Sequence, residues 1–336
     1  MYRPGREIRL RSSARSDRGR VRQNNEDNVH LWDADTSVLA VVADGMGGAV
    51  AGEEASRIAI ETVQGKLSTD YYRSPDDYSQ YDADDLADLL GDAVKEANLN
   101  IIEKAVEAPE LKGMGTTITM AFARFNDVIL AHVGDSRAYY VDASDKSIHQ
   151  LTADHSFVQA LVDAGHITDD EAATHPMKNV LYRALGQAED LDVDVIQDIR
   201  IHASDRLVLC SDGLTLHVEP DEIRDTALSS DDPNVVSEKL VELANSRGGK
   251  DNVSVIVIVA ERVEIEETNT IAETDAQVNI GDDDEPTVPM NPDYLNVTRI
   301  NKSLDRVDRD DDPFATQETP QAGIYGEGND SLDSLS

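Results

Sequence analysis

The chain has 336 residues, with 67 Asp and Glu against 30 Lys and Arg and a formal charge of −37. So negative a chain argues against nucleic acid and against anionic membrane as partners, no apolar run nears the roughly 20 residues that span a bilayer, and the single cysteine, Cys210, allows no internal disulfide and fits a reducing compartment. A cytosolic protein is expected, monomeric by default, with room for one large domain and an extension.

The start, MYRPGREIRLRSSARSDRGRVRQ, is arginine-rich without an apolar h-region. It reads as a first β-strand beyond Glu7 rather than as a secretory or transit signal. Residues 38–43, VLAVVA, form a strand too apolar to have a wet face, and the chain leaves it through Asp44 and the glycines of DGMGG. Those glycines let the backbone turn sharply and approach something small. A helix is expected over about 52–67, with Ser56 on it and Glu53 and Glu54 near its positive end. A second follows over 84–108 with only a polar, tyrosine-rich linker between them. Strands are expected at 116–124, 128–133, 138–141, 206–210 and 252–260. Residues 154–186 read as a small lobe of two short helices, with Gly165 as a stop and a capping stretch from Thr168 to Glu171. A further helix over 233–246 has Asp231 or Asp232 as its cap. Two long helices in succession, then hairpin-like strands, do not make an alternating βαβ chain. They indicate α+β, antiparallel sheet packed by helices.

The domain is expected to end near 262. From 263 to 336 there are 19 Asp and Glu against 4 Lys and Arg, with several prolines and few apolar clusters. Such a tail cannot bury enough apolar surface to offset chain entropy, so it is expected to be disordered.

Asp44, Asp135, Asp212 and Asp251 each stand at the end of an apolar strand, three of them beside a glycine, and Glu26 and Asp27 follow Arg22 closely. Singly, each Asp-Gly is an ordinary turn. If the carboxylates converge they repel, by about 4 kcal/mol for a pair ~4 Å apart at an effective dielectric near 20. Bound cations relieve that, and an all-oxygen donor set selects Mg²⁺ or Mn²⁺ over Zn²⁺. Other chemistries find less support. Cys210 has Leu216 where a cysteine phosphatase needs arginine. DLDVDV at 190–195 fails the aspartyl-phosphatase pattern, no phosphate-cradling GxxxxGK[ST] is present, and the eight histidines form no zinc pair.

The segments SDRGRVRQNNEDN, VVADGMGG, GMGTTIT, AHVGDSRAYY, LTADHSFVQALVDAGHIT, LYRALG, LVLCSDGL and GKDNVSVIVI stand in the order seen in the metal-dependent PPM, or 2C-type, serine/threonine phosphatases. Over about residues 8–262 the chain resembles the bacterial branch of that family. The resemblance implies a four-layer α-β-β-α sandwich with a two-metal cleft at one edge. It implies that Asp44 bridges two ions, that the Gly45 carbonyl contacts the second, and that Asp212 and Asp251 complete the first. It gives Asp135 to a third, weaker ion, Glu26 and Asp27 to metal-bound water, and Arg22 to the substrate phosphate. The reaction implied is in-line attack by a water held between the ions, without a phosphoenzyme. Many members carry a histidine where this chain has Met46, so the proton donor is open, with metal-bound water the preferred candidate. His155 and Ser156 are assigned a structural or gating role, Arg183 an anchoring one, and Thr116 and Thr117 strand packing. Phosphoproteins are the expected substrates and Ser/Thr kinases the natural partner class. A non-catalytic scaffold and a small-molecule phosphoesterase stand as alternatives. In the tail, Thr287 and Thr319 are candidate phosphorylation sites, and folding of the acidic tail over the arginine-rich N-terminus is a second, salt-sensitive option.

Overall fold

The structure, a computed structural model, describes residues 8–34, 37–68 and 81–263. In chain order come β1 (Ile8–Asp17), β2 (Asn28–Ala34), β3 (Ser37–Ala43), the two-residue β4 (Gly45–Met46), α1 (Ala49–Ser68) and α2 (Ala83–Glu107). There follow β5 (Gly115–Thr116), β6 (Ile118–Arg124), β7 (Asp127–Val133), β8 (Arg137–Asp142), β9 (Ser147–Gln150), α3 (Phe157–Asp163) and α4 (Asp169–Thr174). The last elements are β10 (Asp194–Arg200), β11 (Arg206–Cys210), α5 (Asp212–Thr215), α6 (Pro220–Ala227), α7 (Pro233–Ser246) and β12 (Val253–Arg262). Two five-stranded sheets run in the orders β1-β12-β11-β8-β9 and β10-β7-β6-β3-β2, and every pairing is antiparallel.

The side-chain period of two explains the layers. Val38, Ala40 and Val42 of β3 join Leu207 and Leu209 of β11 and Ile256 and Ile258 of β12 in the core between the sheets. The alternate set, Leu39, Val41 and Ala43, packs outward under α1 and α2. On the other sheet Val253, Val255, Val257 and Val259 pack outward under α6 and α7. Central strands are thus buried on both faces, which is why they read as continuous apolar runs, and the four-layer α-β-β-α sandwich follows. α2 supplies its share through a stripe of Leu86, Leu90, Val94, Ala97 and Ile101, started by an Asp82 cap on the Asp85 N–H.

Several expectations shift. α1 begins at Ala49, so Glu53 and Glu54 lie beyond the first turn; Glu54 pairs with Arg57 instead, at 2.7 Å. The strand expected from Thr116 divides, because Thr117 turns its N–H to the Asp44 carbonyl (2.9 Å). β2, β9 and β10 lie outside the expected strands. Each is a sheet edge; β10 alternates half-buried and exposed residues, β2 is half-buried along almost its whole length, and polar residues dilute the apolar pattern there. In the lobe, α3 is capped by Ser156, Gly165 takes φ +71 just past its end, and α4 opens with a capping box between Thr168 and Glu171. Asp232 is the cap of α7. The tail, Thr287 and Thr319 included, lies outside the described residues.

Candidate active site

Asp44 follows the last residue of β3, and its main chain is fixed on three sides. Its N–H donates to Thr117 Oγ1 (3.0 Å), and its carbonyl accepts from the Thr116 hydroxyl (2.9 Å) and the Thr117 N–H (2.9 Å). The carboxylate is left to face the cleft. At Gly45 a Cβ would collide with the Gly52 carbonyl and stand 2.6 Å from that of Glu26, so only glycine lets the turn close on α1. Asp135 leaves β7 after Gly134, Asp212 is the first residue of α5, and Asp251 lies two residues before β12. Asn252, beside Asp251, ties this last segment to the β1–β2 loop that carries Arg22 and Glu26. Its Nδ2 donates to the Arg18 and Asn24 carbonyls (2.9 Å each) and its Oδ1 accepts from the Glu26 N–H (2.8 Å). Ser56 of α1 donates to the Glu26 carbonyl (2.6 Å).

These loops meet at one cleft of about 250 Å³, lined by Arg22, Glu26, Asp44, Gly45, Asp135, Asp212 and Asp251, with Met46, Gly47, Gly48, Thr117, Asn179 and Leu181. Arg22 donates to Asp251 Oδ2 (2.7 Å) and lies 3.7 Å from Glu26 Oε1, with 47% of its side chain exposed. Asp27 is the one expected site residue not on the wall. It lies beneath, 5% exposed, where Oδ2 accepts from the hydroxyls of Ser211 (2.8 Å) and Ser254 (2.7 Å).

The electrostatics record the convergence. Burial, then the fields of Asp27, Asp212, Asp135 and Asp251, hold the Asp44 carboxyl well above the usual carboxylate range. Burial pushes Asp27 up to about 7, against its two serine hydrogen bonds and with help from Asp212 and Asp251. Burial and the Asp212 charge push Asp135 up to about 8. Burial and Asp251 raise Asp212 to about 6, although a hydrogen bond with Asp44 opposes the shift. Glu26 is raised by burial, against the pull of Arg22. A cluster that resists ionisation this way is relieved by cations.

The donor set is wholly oxygen, with no Cys or His on the wall, and suits a hard divalent ion. Among the described residues no three of His, Cys, Asp and Glu close on a single point tightly enough to cage an ion unaided. Mg²⁺-like ions keep several waters and need only one or two carboxylates each. Met46 does stand on the wall where a histidine was weighed. Thr117 corrects its assignment to strand packing alone, since it lines the cleft and holds Asp44. Asn179, Leu181, Asn252, Ser211 and Ser254 escaped the sequence reading. Only the asparagine adjoining Asp251 gave a local signal, as part of GKDN. Arg183 anchors the lobe as expected, through Asp194 at 2.5 Å. Cys210 is fully buried, and burial pushes its thiol up to about 12.

A family model described as protein phosphatase 2C matches residues 17–246. The serine/threonine phosphatase stp of Listeria welshimeri is 36% identical over 250 residues, covering 74% of this chain and 95% of the relative. The serine/threonine protein phosphatase PstP of Mycobacterium tuberculosis is 39% identical over 280 residues, 83% of this chain and 50% of the relative. A crystal structure of a PstP catalytic domain in complex with two manganese ions matches with a TM-score of 0.62 and 36% identity, over 76% of this chain and 99% of that one. With five acidic side chains and an arginine gathered in one cleft of an α-β-β-α sandwich, and a family match over residues 17–246 that takes in all of them but Asp251, the chain belongs to the protein phosphatase 2C family.

Proposed function

We propose that this chain removes phosphate from phosphoserine and phosphothreonine in proteins, using two Mn²⁺ or Mg²⁺ ions. The observation that carries the reading is the convergence of Glu26, Asp44, Asp135, Asp212 and Asp251 on one cleft that also holds Arg22. When bound, the ions supply an activated water and neutralise the phosphoryl oxygens. Asp44, Asp212, Asp251 and the Gly45 carbonyl would hold them, with Asp135 available to a further ion and Glu26 to coordinated water. Asp27 is braced beneath the wall by Ser211 and Ser254 and would support that coordinated water.

Arg22 reaches the cleft with its fork half exposed, and Asp251 and Glu26 keep it there by ion pairing. Its free N–H groups suit two phosphate oxygens and add charge stabilisation as the transition state forms. No Cys, His or Ser lines the wall, which supports attack by water without a phosphoenzyme. With Met46 in the histidine position, water held in the cleft is the preferred proton donor for the departing alcohol. Substrates would be phosphoproteins, including Ser/Thr kinases and their targets, met in the cytoplasm by a monomer. No helix among the described residues is long and apolar enough to cross a membrane.

The test is Mn²⁺-dependent hydrolysis by the full chain of p-nitrophenyl phosphate, a phosphothreonine peptide and phosphorylated metabolites. Asp44→Ala and Asp212→Ala should each lose nearly all activity while circular dichroism stays unchanged. Wild-type rates in either variant would break the mechanism, and faster turnover of metabolites than of peptide would reassign the substrate.

A further inference from the structure

His155 is absent from the cleft wall, its side chain only 2% exposed, and the chemistry above gives it no task. Its contacts nevertheless lead to the wall from two sides. Gly134, the residue before Asp135, is held by His155 at both of its main-chain polar groups. The Gly134 N–H donates to His155 Nδ1 (3.0 Å), and the Gly134 carbonyl accepts from the His155 N–H (2.7 Å). Gly134 takes φ +117, and a Cβ there would stand 2.5 Å from Thr117 Cβ, so the turn has little freedom to find another partner.

A main-chain N–H can only donate. Nδ1 therefore carries the lone pair, and the ring proton sits on Nε2, which faces Asp194 Oδ2 at 3.1 Å. The other oxygen of Asp194 accepts from Arg183 (2.5 Å). Burial keeps His155 below the ordinary histidine range, against the pull of Asp194, in keeping with a neutral ring. His132 packs against it with ring centroids 4.9 Å apart. On the lobe side the His155 carbonyl accepts from the Tyr182 N–H (3.0 Å), and Ser156 bridges to Leu181. Leu181 and Asn179 line the cleft.

We propose that His155 is a positioning residue: by gripping Gly134 at both ends it sets Asp135, and through Tyr182 and Leu181 it registers the lobe's wall of the cleft against that carboxylate. Asp194 and Arg183 hold the ring in the tautomer the grip requires. The inference rests on the reading of the cleft as a divalent-cation site.

Asparagine places an acceptor where Nδ1 stands, and glutamine places its polar end where Nε2 stands. The two substitutions therefore separate the Gly134 contact from the Asp194 contact. Calorimetric titration of the full chain with Mn²⁺ should show the midpoint of the weaker transition, the one Asp135 serves, raised about tenfold in His155→Gln and His155→Ala and changed less than about threefold in His155→Asn. Equal shifts in the Asn and Gln variants, or none in any, would overturn the proposal. So would ¹⁵N spectra of the wild-type ring showing the proton on Nδ1, a measurement that stands even if a variant fails to fold. Asp44→Asn in the same titration separates the two failures. Unaltered Mn²⁺ binding there sinks the cation site itself, whereas lost binding there with unshifted His155 variants sinks only the positioning role.

Discussion

Asp44 ionises against the charges of Asp27, Asp212, Asp135 and Asp251, so its contribution to stability depends on what else the cleft holds. Folded-state values of about 7 for Asp27, about 8 for Asp135 and about 6 for Asp212 lie above the unfolded value of about 3.9. The folded protein therefore keeps protons that the unfolded chain gives up. The associated stability is fully present below about pH 4 and is lost as pH rises through the range from about 6 to about 8. In chelator, the melting temperature should fall from pH 5 to pH 8, a range set by those shifts. Saturating Mn²⁺ should reverse the fall and release protons on binding, adding about 2.7 kcal/mol at 100 times its Kd. A chelated protein that gains stability over the same range would contradict the carboxylate cluster. Asp44→Asn removes one repelling charge, so it should raise the melting temperature of the chelated protein by ~5 °C, on the order of 2 kcal/mol, while abolishing turnover.

At the scale of elements, the cleft is built by main-chain fixtures at strand ends. Thr117, between β5 and β6, accepts the Asp44 N–H (3.0 Å) and shares a hydrogen bond with Ser136 Oγ (2.8 Å). Thr117→Val keeps the volume and leaves that N–H unpaired, so it should cost about 1–3 kcal/mol in denaturant unfolding and lower the activity as Asp44 loosens. Unchanged stability with unchanged rate would show that the Asp44 turn holds itself. The lobe behaves more locally. Thr168→Ala removes the α4 capping box and should cost about 1 kcal/mol or less, read as faster amide exchange in α4 without a change in Mn²⁺ affinity. Most elements were legible because their signals are local: the Asp232 cap, the Thr168–Glu171 box and the stop at Gly165 each need only neighbouring residues. β2, β9 and β10 were not, because each lies at a sheet edge where polar residues dilute the apolar pattern, and β10 breaks its own register around Asp198 at φ 62.

At the scale of the molecule, the two sheets are joined by one apolar layer, and the cleft exists only where their ends stay in register. Ile256 of β12 is fully buried between them with Val42, Ala121 and Leu209 in the same cluster. Ile256→Ala should therefore cost about 2–5 kcal/mol in unfolding while leaving the rate per folded molecule close to wild type at low temperature. A loss of activity with no loss of stability would place Ile256 in the site rather than beneath it. By itself the sequence determined the strands that carry Asp44, Asp212 and Asp251, the helices over them, the glycines that free the turns and, through ordered motifs, the family. Each is written in composition, spacing or neighbouring residues. Only the tertiary structure decided that Asp27 lies under the wall, that Arg22 rests on Asp251, that Asn252 ties the approach to β12 to the β1–β2 loop, and that Asn179 and Leu181 line the cleft. Those facts are distances between residues far apart in the chain, and sheet packing, not local propensity, sets them.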